Sequence, residues 1–258
     1  EEGEWWMRSI ETIPFLHRMD IFSVNNNLYF IGSTLCGLKE RIDDWSQPGK
    51  IIIGNVDPET FELTGVRTIM DGLYRNHGFS KIIHHEKESY LISSDSGCWI
   101  IPLPDDINDG FSPYKLFDFP ASDMAVFDID DDGDQEFAVI TPFHGNQFKI
   151  LKSIDGHFSE IYSRKIEFGH VLWGGLINTI PSFILGYRKD DMKLLILRSG
   201  KNSEIEEFLI DADCGPSQIS CFQESDGFNI LSANRKTGKI DGDVALYTIV
   251  ETVSRKKQ

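Results

Sequence analysis

Two groups of residues could do chemistry. The first is an acidic run: Asp128, Asp130, Asp132, Asp134 and Glu136, with Gly133 inside it. Alternate carboxylates converge when a loop wraps round an ion. The glycine permits the sharp turn and the last acid closes the site. Hard oxygen donors at this spacing suit a structural Ca2+. The run is not an EF-hand, because apolar strand-like stretches flank it and the closing acid comes too early. A metal-free acidic hairpin is the plainer alternative.

The second group is His17, His77, Asp123 and His170, each in a polar corner that leads into a short apolar stretch. Successive intervals are 60, 46 and 47 residues, and a fifth corner at Pro216-Ser217 follows His170 by 47. Three imidazoles and a carboxylate suit a divalent transition metal such as Mn2+, Zn2+ or Fe2+. Three protein ligands with an open water position is the catalytic pattern. For any one of these histidines alone, a hydrogen-bonding role at a strand start is the competing reading.

The elements that must position these groups are strands. Helical periodicity is scarce in the 258 residues, and apolar or alternating runs are broken by Gly, Asn, Asp and Pro. A repeat of ~40–50 residues with four short strands per unit is the mark of a β-propeller. Five units predict an all-β, five-bladed propeller forming a single domain over residues 1–258. Its N-terminal strand, around Trp5–Ile10, would join the last blade, where Ala245–Val250 is the third strand. The longer first interval reads as one insertion, Leu35–Gly49. A β-sandwich with coincidental spacing is the alternative fold.

In an up-and-down blade, the acidic loop joins the first two strands at one face. The corners, and the turns between second and third strands, lie at the other. His144, Arg188 and Arg235 sit in such turns and are therefore expected near the corner histidines. His144 is the candidate base, and the two arginines are candidate clamps for anionic or polar oxygen. Trp45 in the insertion, Asp95, Tyr187 and Trp173 are the candidate substrate-binding residues, the aromatics by stacking on a sugar face. Each taken singly also reads as an ordinary turn residue.

Composition narrows the function. Lys plus Arg number 25 against 41 Asp plus Glu, a net charge of −16. That excludes a general nucleic-acid binder and argues against docking on anionic lipid. No apolar run approaches the ~20 residues of a membrane-spanning helix. Cys36, Cys98, Cys214 and Cys221 form no CxxC pair and are too sparse for a disulfide scaffold, so free thiols in a reducing compartment, read as cytoplasm, are expected. No G-x-S-x-G nucleophile motif occurs. Glycoside hydrolysis needs two or three axial carboxylates, for which only Asp123, Asp20 and Asp95 qualify, so a glycosidase ranks last.

The segment Asp128-Ile129-Asp130-Asp131-Asp132-Gly133-Asp134-Gln135-Glu136 resembles the FG-GAP/VCBS class of propeller repeats. In that class the loop D-x-[DN]-x-D-G-x-x-[DE] joins the first two strands of a blade and carries calcium. Only the third unit has it. More broadly, the chain resembles the propeller portion of aldos-2-ulose dehydratase-type proteins, metal-containing carbohydrate lyases and isomerases. The resemblance implies a metal-dependent lyase (dehydratase) or isomerase acting on a small keto or oxidised sugar. The alternative is a non-catalytic propeller that binds a glycan or a protein and carries a structural calcium.

Overall fold

The computed structural model describes residues 7–201, 203–225, 227–235 and 242–250. The chain forms two compact units, Glu1–Pro120 and Ala121–Gln258. The first contains β1 (Leu16–Val24), β2 (Asn27–Thr34), β3 (Gly49–Val56) and β4 (Leu63–Leu73) in one sheet. A second sheet holds β5 (Gly78–His84), β6 (Lys87–Ser94), β7 (Gly97–Pro102) and β8 (Tyr114–Phe117).

The second unit contains three sheets. They are β9 (Asp123–Phe127), β10 (Glu136–Thr141), β11 (Gln147–Ile154) and β12 (His157–Lys165); then β13 (Gly169–Ile177), β14 (Ile180–Tyr187), β15 (Leu194–Ser199) and β16 (Ile205–Asp211); then β17 (Pro216–Glu224), β18 (Gly227–Asn234) and β19 (Asp243–Ile249). Within each sheet every strand pairs antiparallel with its neighbour in sequence. Almost all-β, with five antiparallel blades, the fold is a five-bladed β-propeller. The one described helix is a 3-10 turn, Ile107–Asp109, so no described helix is long and apolar enough to cross a bilayer.

Local chemistry explains the hairpins. Asn25-Asn26, His85-Glu86 and Asn178-Thr179 all carry positive φ at both turn positions, between 48° and 71°. That is the type I′ geometry whose twist matches flanking strands. The turn between β9 and β10 is instead the longer acidic loop, in which Asp131 and Gly133 take positive φ. Central strands are buried and apolar, as in Tyr90–Ile92 and Phe183–Leu185. Buried side chains such as Phe148 and Phe183 each stabilise the fold by about 1.5–3 kcal/mol through apolar area removed from water.

The insertion proves to be the connection between β2 and β3, without strand structure. Of the expected closing strand, Trp5 and Trp6 lie outside the described residues, and residues 7–13 form no strand. The last sheet has three strands among the described residues. The four cysteines are free thiols.

Candidate functional site

Within each unit the turns between second and third strands hydrogen-bond to the corners. The Gly169 amide donates to the Gly145 carbonyl at 2.9 Å, and Arg188 N–H donates to the Phe168 carbonyl at 3.0 Å. Arg235 N–H donates to the Gly215 carbonyl at 2.8 Å. In the first unit Asn76 N–H reaches the Leu35 carbonyl at 3.1 Å, and Asp95 N–H reaches the Tyr74 carbonyl at 2.8 Å. Blade geometry therefore brings the two sets of turns together as expected.

In the second unit this places His144 beside His170. Their ring centroids are 5.3 Å apart with planes 21° from parallel, and their ring nitrogens come within 4.8 Å. His144 is half-buried and His170 is 8% exposed. His144 is fixed by its turn: it has φ 46°, and its N–H donates to Ser122 Oγ at 3.1 Å. The next residue must be glycine, because a Cβ at Gly145 would stand 2.2 Å from the Thr141 carbonyl oxygen.

Aromatic rings flank this pair. Phe143 stacks on His144 at 4.0 Å, and Phe168 lies 4.3 Å from His144 and 6.2 Å from His170. Arg188 and Lys189 lie over the Phe168 ring at 5.1 and 5.5 Å, within cation–π range. Burial, reinforced by the positive charge of Arg235, lowers the Arg188 pKa from its ordinary value. Arg188 therefore feels the positive charge of Arg235 on an otherwise acidic chain. Asp123 is 2% exposed at the first position of β9, and its Oδ1 accepts from Met124 N–H at 3.0 Å. Phe143 and Phe168 were not singled out from sequence. Each directly precedes a turn or corner that carries a histidine, which is the signal that could have found them.

In the first unit His17 and His77 form a second imidazole pair, with centroids 4.6 Å apart. His77 is fully buried beside Asn76, whose amide donates to Ser33 Oγ at 2.8 Å. His17 keeps surface exposure, yet the atoms crowded round its ring, with help from the Arg18 charge, push its pKa down to about 4. It is neutral at pH 7, the form that ligates metal. Trp45 faces Lys39 at 3.0 Å and Arg75 at 5.5 Å. Arg75 in turn pairs with Asp95 at 3.0 Å. Burial raises the Asp95 carboxyl and Arg75 opposes the rise.

Two candidate stacking residues are placed elsewhere. Tyr187 is 2% exposed inside the core cluster with Phe148 and Leu185, so its ring face is covered by protein. Trp173, half-buried, packs on Phe228 at 5.2 Å, covers Gly175 and lies against the hydrophobic core around Ile184 and Ile230. Tyr187 ends a stretch of β14 that is buried from Ser182 onward, and Trp173 is half-buried on β13, burial that the turn-based reading did not resolve.

The acidic loop brings some of its expected ligands together and engages others in different contacts. Asp128, Asp130 and Glu136 do converge, with oxygens within 4.8 Å of one another. The Asp128 carboxylate, however, accepts the Asp132 and Gly133 amides at 3.2 and 2.8 Å. Asp132 Oδ1 accepts the Asp134 amide at 3.0 Å, and Asp134 is exposed. Lys152, on β11, places its ammonium among Asp130, Asp132 and Glu136. The Lys152 ammonium thus stands among three of the five acids expected to hold Ca2+.

No family model and no curated protein matches the chain. Solved structures do resemble it. A putative 6-phosphogluconolactonase from Bacteroides fragilis matches with TM-score 0.52 and 12% identity, over 83% of this chain and 62% of that one. This chain thus spans less than two thirds of that protein's length. A GH43 β-xylosidase/α-arabinofuranosidase from a compost microbial metagenome, solved with xylotriose in a calcium-free form, matches with TM-score 0.50 and 11% identity, over 96% of this chain and 94% of that one. At these identities the likeness is one of fold.

Proposed function

We propose that the protein is a carbohydrate-active propeller enzyme, a metal-dependent lyase (dehydratase) or isomerase acting on a small keto or oxidised sugar. The observation that carries the reading is the pairing of His144 with His170 beside the Arg188 and Arg235 turns. Propellers of similar fold include carbohydrate-active enzymes, which agrees with a sugar-related role.

The corner side chains His17, His77, His170 and Asp123 are the proposed donors for a divalent transition metal. Two observations support the donors' chemistry: His17 is held neutral in the first unit, and His170 of the second unit has its ring nitrogens within 4.8 Å of those of His144. When bound, such a metal supplies a Lewis acid for a carbonyl or carboxylate oxygen. The chain's own residues supply the remainder. His144 takes the proton from the carbon next to the sugar carbonyl. Arg188 and Arg235 stabilise the negative charge that develops on oxygen. Phe143 and Phe168 keep water from the face of the His144 ring.

The test has two readouts. Elemental analysis of protein purified without chelators should find a transition metal, reduced in His77→Ala and His170→Ala. NMR on a panel of aldos-2-uloses, keto-aldonic acids and uronic acids should show turnover that His144→Ala loses. Absence of metal, together with sugar binding unchanged in the His77→Ala/His170→Ala double variant, removes the proposal.

A further inference from the structure

We infer that the loop from Asp128 to Glu136 is a cation site closed by the protein's own lysine, so that Lys152 replaces the calcium its sequence pattern announces. The ammonium of Lys152 lies 2.8 Å from Asp130, 2.7 Å from Asp132 and 2.9 Å from Glu136. Those are close ion-pair lengths, and both Asp130 oxygens accept hydrogen bonds from the ammonium, at 2.9 and 2.8 Å. Its side chain is 15% exposed and that of Glu136 is fully buried. Burial works against the Lys152 charge, but its interactions with the carboxylates of Asp130, Asp132 and Glu136 outweigh that and leave its pKa raised.

Strand register makes the arrangement possible. Phe137 of β10 pairs with Leu151 of β11, so Lys152 stands level with Glu136 and reaches into the loop. The second oxygen of Glu136 accepts the Ile129 amide at 2.9 Å, which fixes that carboxylate from the other side. Ca2+ requires six to eight oxygens at 2.3–2.6 Å. Here the Asp128 oxygens are turned to backbone amides, and three of the remaining acids already share one ammonium. A calcium ion could enter only by expelling a like charge from the same space.

In this loop the acidic fingerprint and metal dependence, usually joined, are separate properties. A latent site remains beneath the lysine. With the ammonium removed, Asp130, Asp132 and Glu136 are left uncompensated at a spacing that suits a hard cation.

Thermal unfolding and calorimetric titration with CaCl2 against EGTA test this on the full chain. The wild type should show the same melting temperature in 2 mM CaCl2 as in EGTA, with no saturable binding. Lys152→Met should melt lower in EGTA and recover in CaCl2, with saturable binding that Asp130→Asn in the same background reduces at least tenfold. Saturable submillimolar Ca2+ binding by the wild type overturns the inference. So does a folded Lys152→Met that ignores Ca2+. Should Lys152→Met fail to fold, Lys152→Gln and the wild-type titration decide on the same criteria.

Discussion

Replacing Lys152 by methionine keeps the length of the side chain and removes its charge, which isolates the electrostatics of the acidic loop. Three carboxylates lose their counter-ion, and burial ranks them: Glu136 is fully buried, Asp130 is 19% exposed and Asp132 is 45% exposed. Breaking a buried ion pair costs about 3–5 kcal/mol, because a charge is left without compensation. Asp130 and Lys152 both retain some contact with solvent, which puts the expectation near the lower end, about 3 kcal/mol.

The pH dependence gives the experiment its sign. The raised Lys152 pKa means that its contribution is fully present below the ordinary lysine value and is lost only as pH rises through the folded-state value. Burial raises the Glu136 carboxyl above its ordinary range, opposed by the Ile129 amide and Lys152. A raised carboxyl favours the folded state on acidification, since the native protein holds that proton more tightly. Without Lys152 the rise is larger. Urea denaturation in EGTA should therefore show a wild-type-to-variant gap that is largest near pH 8 and narrows toward pH 5. A gap below about 0.5 kcal/mol at pH 8, the range of ordinary surface substitutions, would refute the reasoning. So would a gap that widens on acidification.

Three further outcomes are expected. Tyr90→Phe removes the 2.8 Å hydrogen bond from the buried Tyr90 hydroxyl to Asp20 and should cost about 1.5–3 kcal/mol in urea denaturation, as for other hydrogen bonds to charged groups. His85-Glu86→Asn-Gly supplies residues at home at positive φ to the β5–β6 hairpin, and a gain of about 0.5–1 kcal/mol should appear as a raised melting temperature. Burial pushes the Cys98 and Cys221 thiols up to about 12 and Cys214 to about 11. With a thiol-reactive dye at pH 8, Cys98 should then react roughly a thousandfold more slowly in the native protein than in urea, and rapid native labelling would contradict its burial.

The sequence by itself determined the blade pattern. Short apolar runs bounded by turn residues, recurring at intervals near 47, leave an all-β repeat fold as the consistent solution, and the structure has five antiparallel blades. It also determined which residues sit in corners and turns. His144 and His170 could be expected near each other because antiparallel connectivity puts alternate turns at the same end of a blade. Only tertiary structure decided where side chains point and what they meet. Tyr187 and Trp173 are large and amphipathic, suited equally to a sugar face and to a core, and strand register turned both toward packing. The acidic loop is the clearest case. Its local pattern is that of a calcium turn, but the decisive residue lies sixteen positions beyond Glu136 on another strand. Cross-strand pairing is a non-local choice, and it is that pairing which puts a lysine ammonium among the acids.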